Sequence, residues 1–388
     1  MRALLQRLAA LVLSSACALL LAEGAIRLLV PEARWRFRDA SEDWQVDPEL
    51  GWVQNALLEV TTFNEQGQEV RFATNADGLR PASARPERQG GVLRILLVGD
   101  STAVGRAVRE EDAVHSRLRA ELAARGIAAE VLNAGVEGYS TDQALLLLSR
   151  LLPRYRPDLV AYAFCTNDLG GIAVDRAYGV PKPRFTRTGA GLELAVPAET
   201  AAVIPPLGGG PRSWLQRSAT YRLLRPALNG LRARFGRWEE QNLAGAGDVI
   251  YWQSEALAQA DWELLSALIA EMARVAREHG AGFFVYAHPA LEEVWEPSIR
   301  RVITAAGIDA SQYDRHAVEH RLQAIAEARR LTFCPLIDTF VHAAERGPFH
   351  LLPRDPHCNA AGYNLQAEAL AACLDRATLL PREPRLQP

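Results

Sequence analysis

The chain has 388 residues, 49% hydrophobic and 23% charged, enough material for one large domain with appendages. Its formal net charge is −3, and the missing basic excess argues against a nucleic-acid partner. Five cysteines (Cys17, Cys165, Cys334, Cys358 and Cys373) lack the paired spacing of zinc or redox motifs, and their number suits a protein that does not depend on disulfides.

The amino terminus reads as a targeting segment. Arg2 and Arg7 precede an uncharged run from Leu8 to Ala22, short for a spanning helix of about 20 apolar residues. Glu23 and Arg27 then stand four apart, where they can neutralise each other, and apolar residues continue through Val30. Two readings compete over residues 1–30: an uncleaved signal anchor, or a signal peptide cut near Ala22-Glu23-Gly24. The continuing apolar character favours the anchor. That reading expects a single-pass membrane protein with its folded part outside the cytoplasm, although Arg34, Arg36 and Arg38 follow the segment. Cleavage would release a secreted protein instead. Lipid attachment at Cys17 is the weakest reading, because no large apolar residue stands three positions before it.

Residues 31–91 form a small β-rich preface and linker. Val60–Phe63 and Val70–Thr74 read as a hairpin around Asn64-Glu65-Gln66-Gly67, followed by a turn-rich exit from Asn75 to Pro81. Trp35, Trp44 and Trp52 read as packing residues of this preface.

The main domain is expected over 92–380. A strand at 94–98 precedes a helix near 111–125, with Val114, Leu118 and Leu122 on one face. A strand at Val131-Leu132 follows. Ser140 or Thr141 then caps a helix running to Pro153, and Asp158–Phe164 is a third strand. Prolines and the run Gly208-Gly209-Gly210 mark an insertion at about 171–250. The pattern resumes with a helix near 254–279, a strand at 282–286, helical material over 291–330, a strand at Leu331–Ile337 and a last helix from Ala360 to about Arg376. Strands alternating with helices at this spacing imply a parallel sheet in a three-layer α/β fold.

Four pieces sit where a strand gives way to a loop: Gly99-Asp100-Ser101, Gly135-Val136-Glu137-Gly138, Asn167-Asp168 and Asp355-Pro356-His357. These are the types that ester chemistry by serine requires. A hydroxyl needs an imidazole to take its proton. A carboxylate must fix that imidazole's tautomer. N–H donors must meet the developing oxyanion, each worth roughly 3 kcal/mol of barrier.

The set resembles the SGNH/GDSL hydrolase superfamily over approximately residues 92–376. The resemblance implies a flavodoxin-like α/β/α fold, with Ser101 as nucleophile and His357 as general base. It also implies an oxyanion hole made by the backbone N–H of Ser101, the backbone N–H of Gly138 and the side-chain amide of Asn167. Two positions depart from the usual pattern. Cys165 stands where the third block has glycine, and Arg354 stands where the fourth block has aspartate. Asp355, two residues before His357, is then the expected orienting acid, as in some polysaccharide-modifying members; without it a Ser-His dyad remains.

His288 reads as a sheet-end histidine outside the site, and a Cys165–Cys358 disulfide as the lesser reading of those two cysteines. No Gly-x-Gly-x-x-Gly follows the first strand, so no dinucleotide cofactor is expected. The segment Gly99–Ala103 lacks the closing glycine of a nucleophile elbow. No His/Asp cluster has metal-ligand spacing, so neither metal nor cofactor is expected. The function implied is a carboxylic ester hydrolase with a Ser-His-Asp triad, cleaving or transferring O-acyl groups, with O-acetyl groups of surface glycans preferred as substrate. A short-chain lipid esterase is one alternative. Another is a non-catalytic SGNH-like binding or assembly protein of cell-envelope polysaccharide machinery.

Overall fold

A computed structural model of the chain describes residues 2–29, 40–64, 68–189, 191–199, 218, 220, 252, 259–347, 349–351 and 357–381. Trp35, the turn at 65–67, most of the insertion beyond 200, Arg354 and Asp355 lie outside the described residues. The chain divides into two units, one of Met1–Glu42 with Pro205–Asn242 and one of Asp43–Ile204 with Leu243–Pro388.

The first unit holds helix α1, Arg2–Leu29. Leu11, Leu13, Leu19, Leu20, Leu21, Leu28 and Leu29 are exposed on it. Glu23 and Arg27 pair at 2.7 Å, as their spacing allows. Glu23 also accepts from the Ser218 hydroxyl at 2.8 Å and from the Thr220 N–H at 2.9 Å. Among the described residues no helix is long and apolar enough to cross a membrane.

The second unit is built on a five-stranded parallel sheet. Its strands are β5 (Leu93–Gly99), β6 (Ala129–Asn133), β7 (Leu159–Phe164), β12 (Gly282–Ala287) and β13 (Thr332–Cys334), in the order β13-β12-β7-β5-β6. β7 pairs with β5 from Ile95↔Leu159 to Gly99↔Ala163 and with β12 from Gly282↔Leu159 to Ala287↔Phe164. Every residue of β5 and β7 is buried, as strands covered on both faces must be. Helix α3 (Val114–Ala124) packs with α11 (Ala360–Arg376), and α4 (Thr141–Tyr155) with α6 (Gln259–Glu278). The chain runs from β5 outward to β6 and then returns to β7 on the other side of β5. That reversal opens a crevice at the carboxyl ends of β5 and β7, the place where open α/β sheets bind ligands.

Four departures from the sequence reading have physical causes. Helix α4 continues through Pro153 to Tyr155. Proline forfeits one hydrogen bond there, but the buried Tyr155 is anchored through its hydroxyl to Asp77 at 2.6 Å and Asn75 at 2.8 Å. The last strand stops at Cys334, because Pro335 follows and Ile337 already begins a helix, α10 (Ile337–Ala343). The preface holds a second hairpin, β1 (Trp44–Asp47) with β2 (Gly51–Gln54), beside the expected pair β3 (Glu59–Phe63) and β4 (Glu69–Ala73). Finally, Cys334 and Cys373 form a disulfide that joins β13 to α11, contrary to the expectation from cysteine count. Cys17 and Cys165 are free thiols.

Candidate active site

Asp100 follows β5 and caps the short helix α2 (Ser101–Val104), its carboxylate accepting from the Thr102 N–H at 2.8 Å and the Thr102 hydroxyl at 2.6 Å. The helix closes on Gly105 in the left-handed conformation. This turn delivers Ser101 to the crevice, half-buried. The buried Arg80 holds the far end of the turn, donating to the carbonyls of Val104 and Gly105 at 2.8 Å each and pairing with Glu110 at 2.9 Å.

His357 approaches from the other end of the chain. Its Nε2 lies 2.7 Å from Ser101 Oγ across a separation of 256 residues. The backbone around it is fixed by an antiparallel bridge, with Leu351 N–H donating to the His357 carbonyl at 2.9 Å and Asn359 N–H to Phe349 at 3.0 Å. Asn359 then caps α11 by accepting from the Gly362 N–H at 2.9 Å. From α11, the Tyr363 hydroxyl reaches back to the Thr102 carbonyl at 2.9 Å, so base and nucleophile turn share one support.

Asn167 opens helix α5 (Asn167–Ile172) at the end of β7 and is exposed. Its amide donates to Asp100 Oδ2 at 3.2 Å. An amide has two N–H bonds, and this contact uses one of them. Asp168, next in the chain, is buried and accepts from the Cys165 N–H at 2.9 Å and the Tyr162 hydroxyl at 3.2 Å. Burial first, and the nearby Asp100 second, push its pKa far above the usual carboxylate range. Burial followed by the same two carboxylates raises the Cys165 thiol, which keeps it a neutral filler rather than a rival nucleophile.

The loop after β6 runs along the end of β5, with Ala134 N–H donating to Leu97 at 2.8 Å and Val136 N–H to Gly99 at 3.1 Å. Asn133 ties it to the nucleophile turn: its amide donates to the Ala103 carbonyl at 2.7 Å, and its oxygen accepts from the Gly135 N–H at 2.9 Å. The Asn133 amide also contacts His115 Nδ1 at 3.1 Å, which assigns the imidazole proton to Nε2, 2.6 Å from Glu110.

Gly138 sits at φ +76°, and a Cβ there would lie 2.1 Å from Cε2 of Tyr178. Tyr178 turns the hairpin of β8 (Arg176–Ala177) and β9 (Val180–Pro181), itself at φ +53°. Its ring lies 5.8 Å from Trp44 and 6.0 Å from Trp52, yet 49% of the residue stays exposed. Trp52 donates its indole N–H to the Glu137 carbonyl at 3.0 Å and accepts from the Tyr139 hydroxyl at 2.6 Å. Trp44 and Trp52 are therefore packing residues, as expected, but what they pack is the loop that presents Gly138.

Ser101, Gly138, Asn167 and His357 thus all border the crevice, while Asp355 lies outside the described residues. Tyr178 was missed in the sequence, where Tyr178-Gly179 signals only a turn. His288, read as a sheet-end residue, stands with its ring 6.0 Å from that of His350, and both lie close to Cys358.

A model of the GDSL-like lipase/acylhydrolase family matches residues 97–365. No curated protein matches the chain by sequence. Among solved structures it is similar to the crystal structure of TesA, with 15% identity and a TM-score of 0.39 over 73% of this chain and 98% of that one. A catalytic mutant of the acetylxylan esterase Axe2 from Geobacillus stearothermophilus aligns at 13% identity and TM-score 0.39, over 74% and 96% of the two chains. A GDSL-like lipase from Bacteroides thetaiotaomicron aligns at 12% and 0.36, over 73% and 88%.

Proposed function

The chain belongs to the GDSL-like lipase/acylhydrolase family of SGNH hydrolases, and from that premise we propose that it is a serine ester hydrolase using Ser101, His357 and Asp355. The observation that carries this reading is the 2.7 Å contact between His357 Nε2 and Ser101 Oγ. As Oγ attacks the ester carbonyl carbon, its proton passes to Nε2. The carbonyl π electrons move onto oxygen, where the N–H groups of Ser101 and Gly138 and the second N–H of Asn167 meet the charge. Asp100 supports that role by holding the first N–H of Asn167. The tetrahedral adduct collapses as His357 returns the proton to the departing alkoxide. Water, or an acceptor hydroxyl, then repeats the sequence on the acyl-enzyme. Asp355 orients the imidazole through Nδ1.

Short acyl groups are the proposed substrates, with glycan O-acetyl esters the preferred class, a reading supported by the Tyr178 ring that crowds the space beside Gly138. We further propose an extracytoplasmic enzyme attached to a membrane through α1. The Cys334–Cys373 disulfide supports export, and the exposed leucines of α1 support attachment. Alkaline carbonate washing of membranes tests the attachment.

The test of function is hydrolysis of aryl acetates by the full chain in detergent, with fluorophosphonate labelling alongside. Ser101→Ala should lose roughly 10³-fold or more in kcat/KM and all labelling. A wild-type chain that neither hydrolyses nor labels, while still binding glycan, would establish the binding-protein alternative.

A further inference from the structure

Immediately behind the base lies a cluster that ester hydrolysis does not use. His288 follows β12, while His350 and Cys358 face each other across the antiparallel bridge that fixes His357. All three side chains are buried, and one ligand atom from each lies within 4.8 Å of the others. We propose that His288, His350 and Cys358 bind a borderline-soft divalent cation, Zn(II) foremost, which pins the loop carrying His357 to the end of β12.

The donor set selects the ion. Two imidazoles and a thiolate suit zinc, whereas calcium and magnesium need oxygen ligands that this cluster does not offer. The spacing exceeds that of a closed site by only a small inward movement, since zinc holds nitrogen at about 2.0 Å and sulfur at about 2.3 Å. His350 carries the outer contact that metal-bound histidines commonly have: its Nε2 lies 3.0 Å from the Pro289 carbonyl. With the proton placed there, Nδ1 holds the lone pair for the metal. Tyr286, two residues before His288 on the same face of the sheet, brings a buried hydroxyl with no hydrogen-bond partner among the described residues. A water in the fourth position, or the hydroxyl itself, would satisfy that group. Binding is acid–base balanced: the Cys358 thiol gives its proton to solvent as the sulfur–metal bond forms, and no electron moves.

Residues 349–351 and 357–359 are tied to the fold by the bridge, by the cap of α11 and by the contact of His350 with Pro289. A metal clip one residue from His357 would add a fixed point where catalysis needs the base held still, so occupancy and base position are linked. The sequence hides such a site because its ligands come from segments 60 residues or more apart, with no short Cys/His motif.

Cobalt(II), added to chelator-treated full-length protein, is the probe. The expected result is a near-ultraviolet thiolate-to-cobalt charge-transfer band, with visible bands of tetrahedral intensity, saturating at about one equivalent. The band should vanish in Cys358→Ser, weaken in His288→Ala and persist in Cys165→Ser. Zinc should raise the Tm of wild type and leave that of His288→Ala unmoved. A folded wild-type chain without the band at saturating cobalt overturns the proposal, whether or not any variant folds. So does a band of unchanged strength in folded Cys358→Ser or His288→Ala.

Discussion

Replacing Gly138 with alanine separates two demands that meet at one atom. The residue has φ +76°, a left-handed conformation that costs an L-residue about 1–2 kcal/mol. The added methyl would also lie 2.1 Å from Cε2 and 2.9 Å from Cζ of Tyr178, so the ring must leave its place against Trp44 and Trp52 or the loop must move. Overpacking of that kind typically costs about 1–3 kcal/mol. Movement of the loop shifts a proposed oxyanion donor, and losing such a donor lowers kcat by roughly 10²–10³-fold. Gly138→Ala should therefore fall by about that factor in kcat on an aryl acetate, with Ser101 still labelled slowly by a fluorophosphonate. Removing the ring in Tyr178→Ala should cost little by itself. The double variant should recover about tenfold over Gly138→Ala, since the clash is gone and the backbone term remains. If the double variant is no faster than Gly138→Ala, the ring does not constrain the loop, and the reasoning from Tyr178 fails.

Three other outcomes follow from named contacts. Asp100→Asn turns the acceptor of the Asn167 amide into a competing donor at one of its two positions, so kcat should fall about 10–100-fold with KM nearly unchanged; a change in KM alone would refute the positioning role. Burial pushes the Glu110 carboxyl up, but His115 and Arg80 outweigh it and hold the pKa at about 2, below its unfolded value of 4.5. That stability is present above pH 4.5 and lost as pH falls toward 2, about 1–2 kcal/mol after allowing for partial exposure, so Glu110→Gln should flatten the acid limb of a denaturation curve in that window. The disulfide closes a separation of 39 residues, for which chain entropy sets a ceiling of about 4 kcal/mol; reduction or Cys373→Ala should lower Tm, and an unmoved Tm in the presence of reductant would argue against the bond.

The sheet was legible because strands covered on both faces must be almost wholly apolar, and β5, β7 and β12 carry that pattern plainly. Ser101, Gly138 and Asn167 could be assigned to the carboxyl edge of the sheet for a related reason: they stand within about five residues of the ends of β5, β6 and β7. Where tertiary contact overrides local preference, sequence reading failed. Pro153 looked like a helix end because nothing local shows that Tyr155 is anchored to Asn75 and Asp77. The disulfide was invisible because Cys334 and Cys373 become neighbours only when α11 packs back on the edge strand. Likewise the Trp44–Trp52 pair read as preface packing, which is correct, but the sequence could not say that the packed object is the Gly138 loop.

Tyr178 shows how the two halves of this problem join. Its hairpin lies close against β2, where a Cβ on Gly51 would come within 2.7 Å of the Pro181 carbonyl. Just beyond that hairpin, Lys182 is buried in an ion pair with Asp142 at the start of α4, and its Nζ also donates to Pro183 at 3.1 Å. A buried pair of this kind adds little net stability but is expensive to break from one side, about 3–5 kcal/mol, so it fixes geometry more than it lowers energy. The aromatic ring over Gly138 is therefore held from both sides, by indoles of the preface and by a charge clamp on the sheet unit. The preface β1–β2 thereby helps to shape the proposed acyl site, and that follows from where Trp52, Gly51 and Lys182 make contact rather than from their place in the chain.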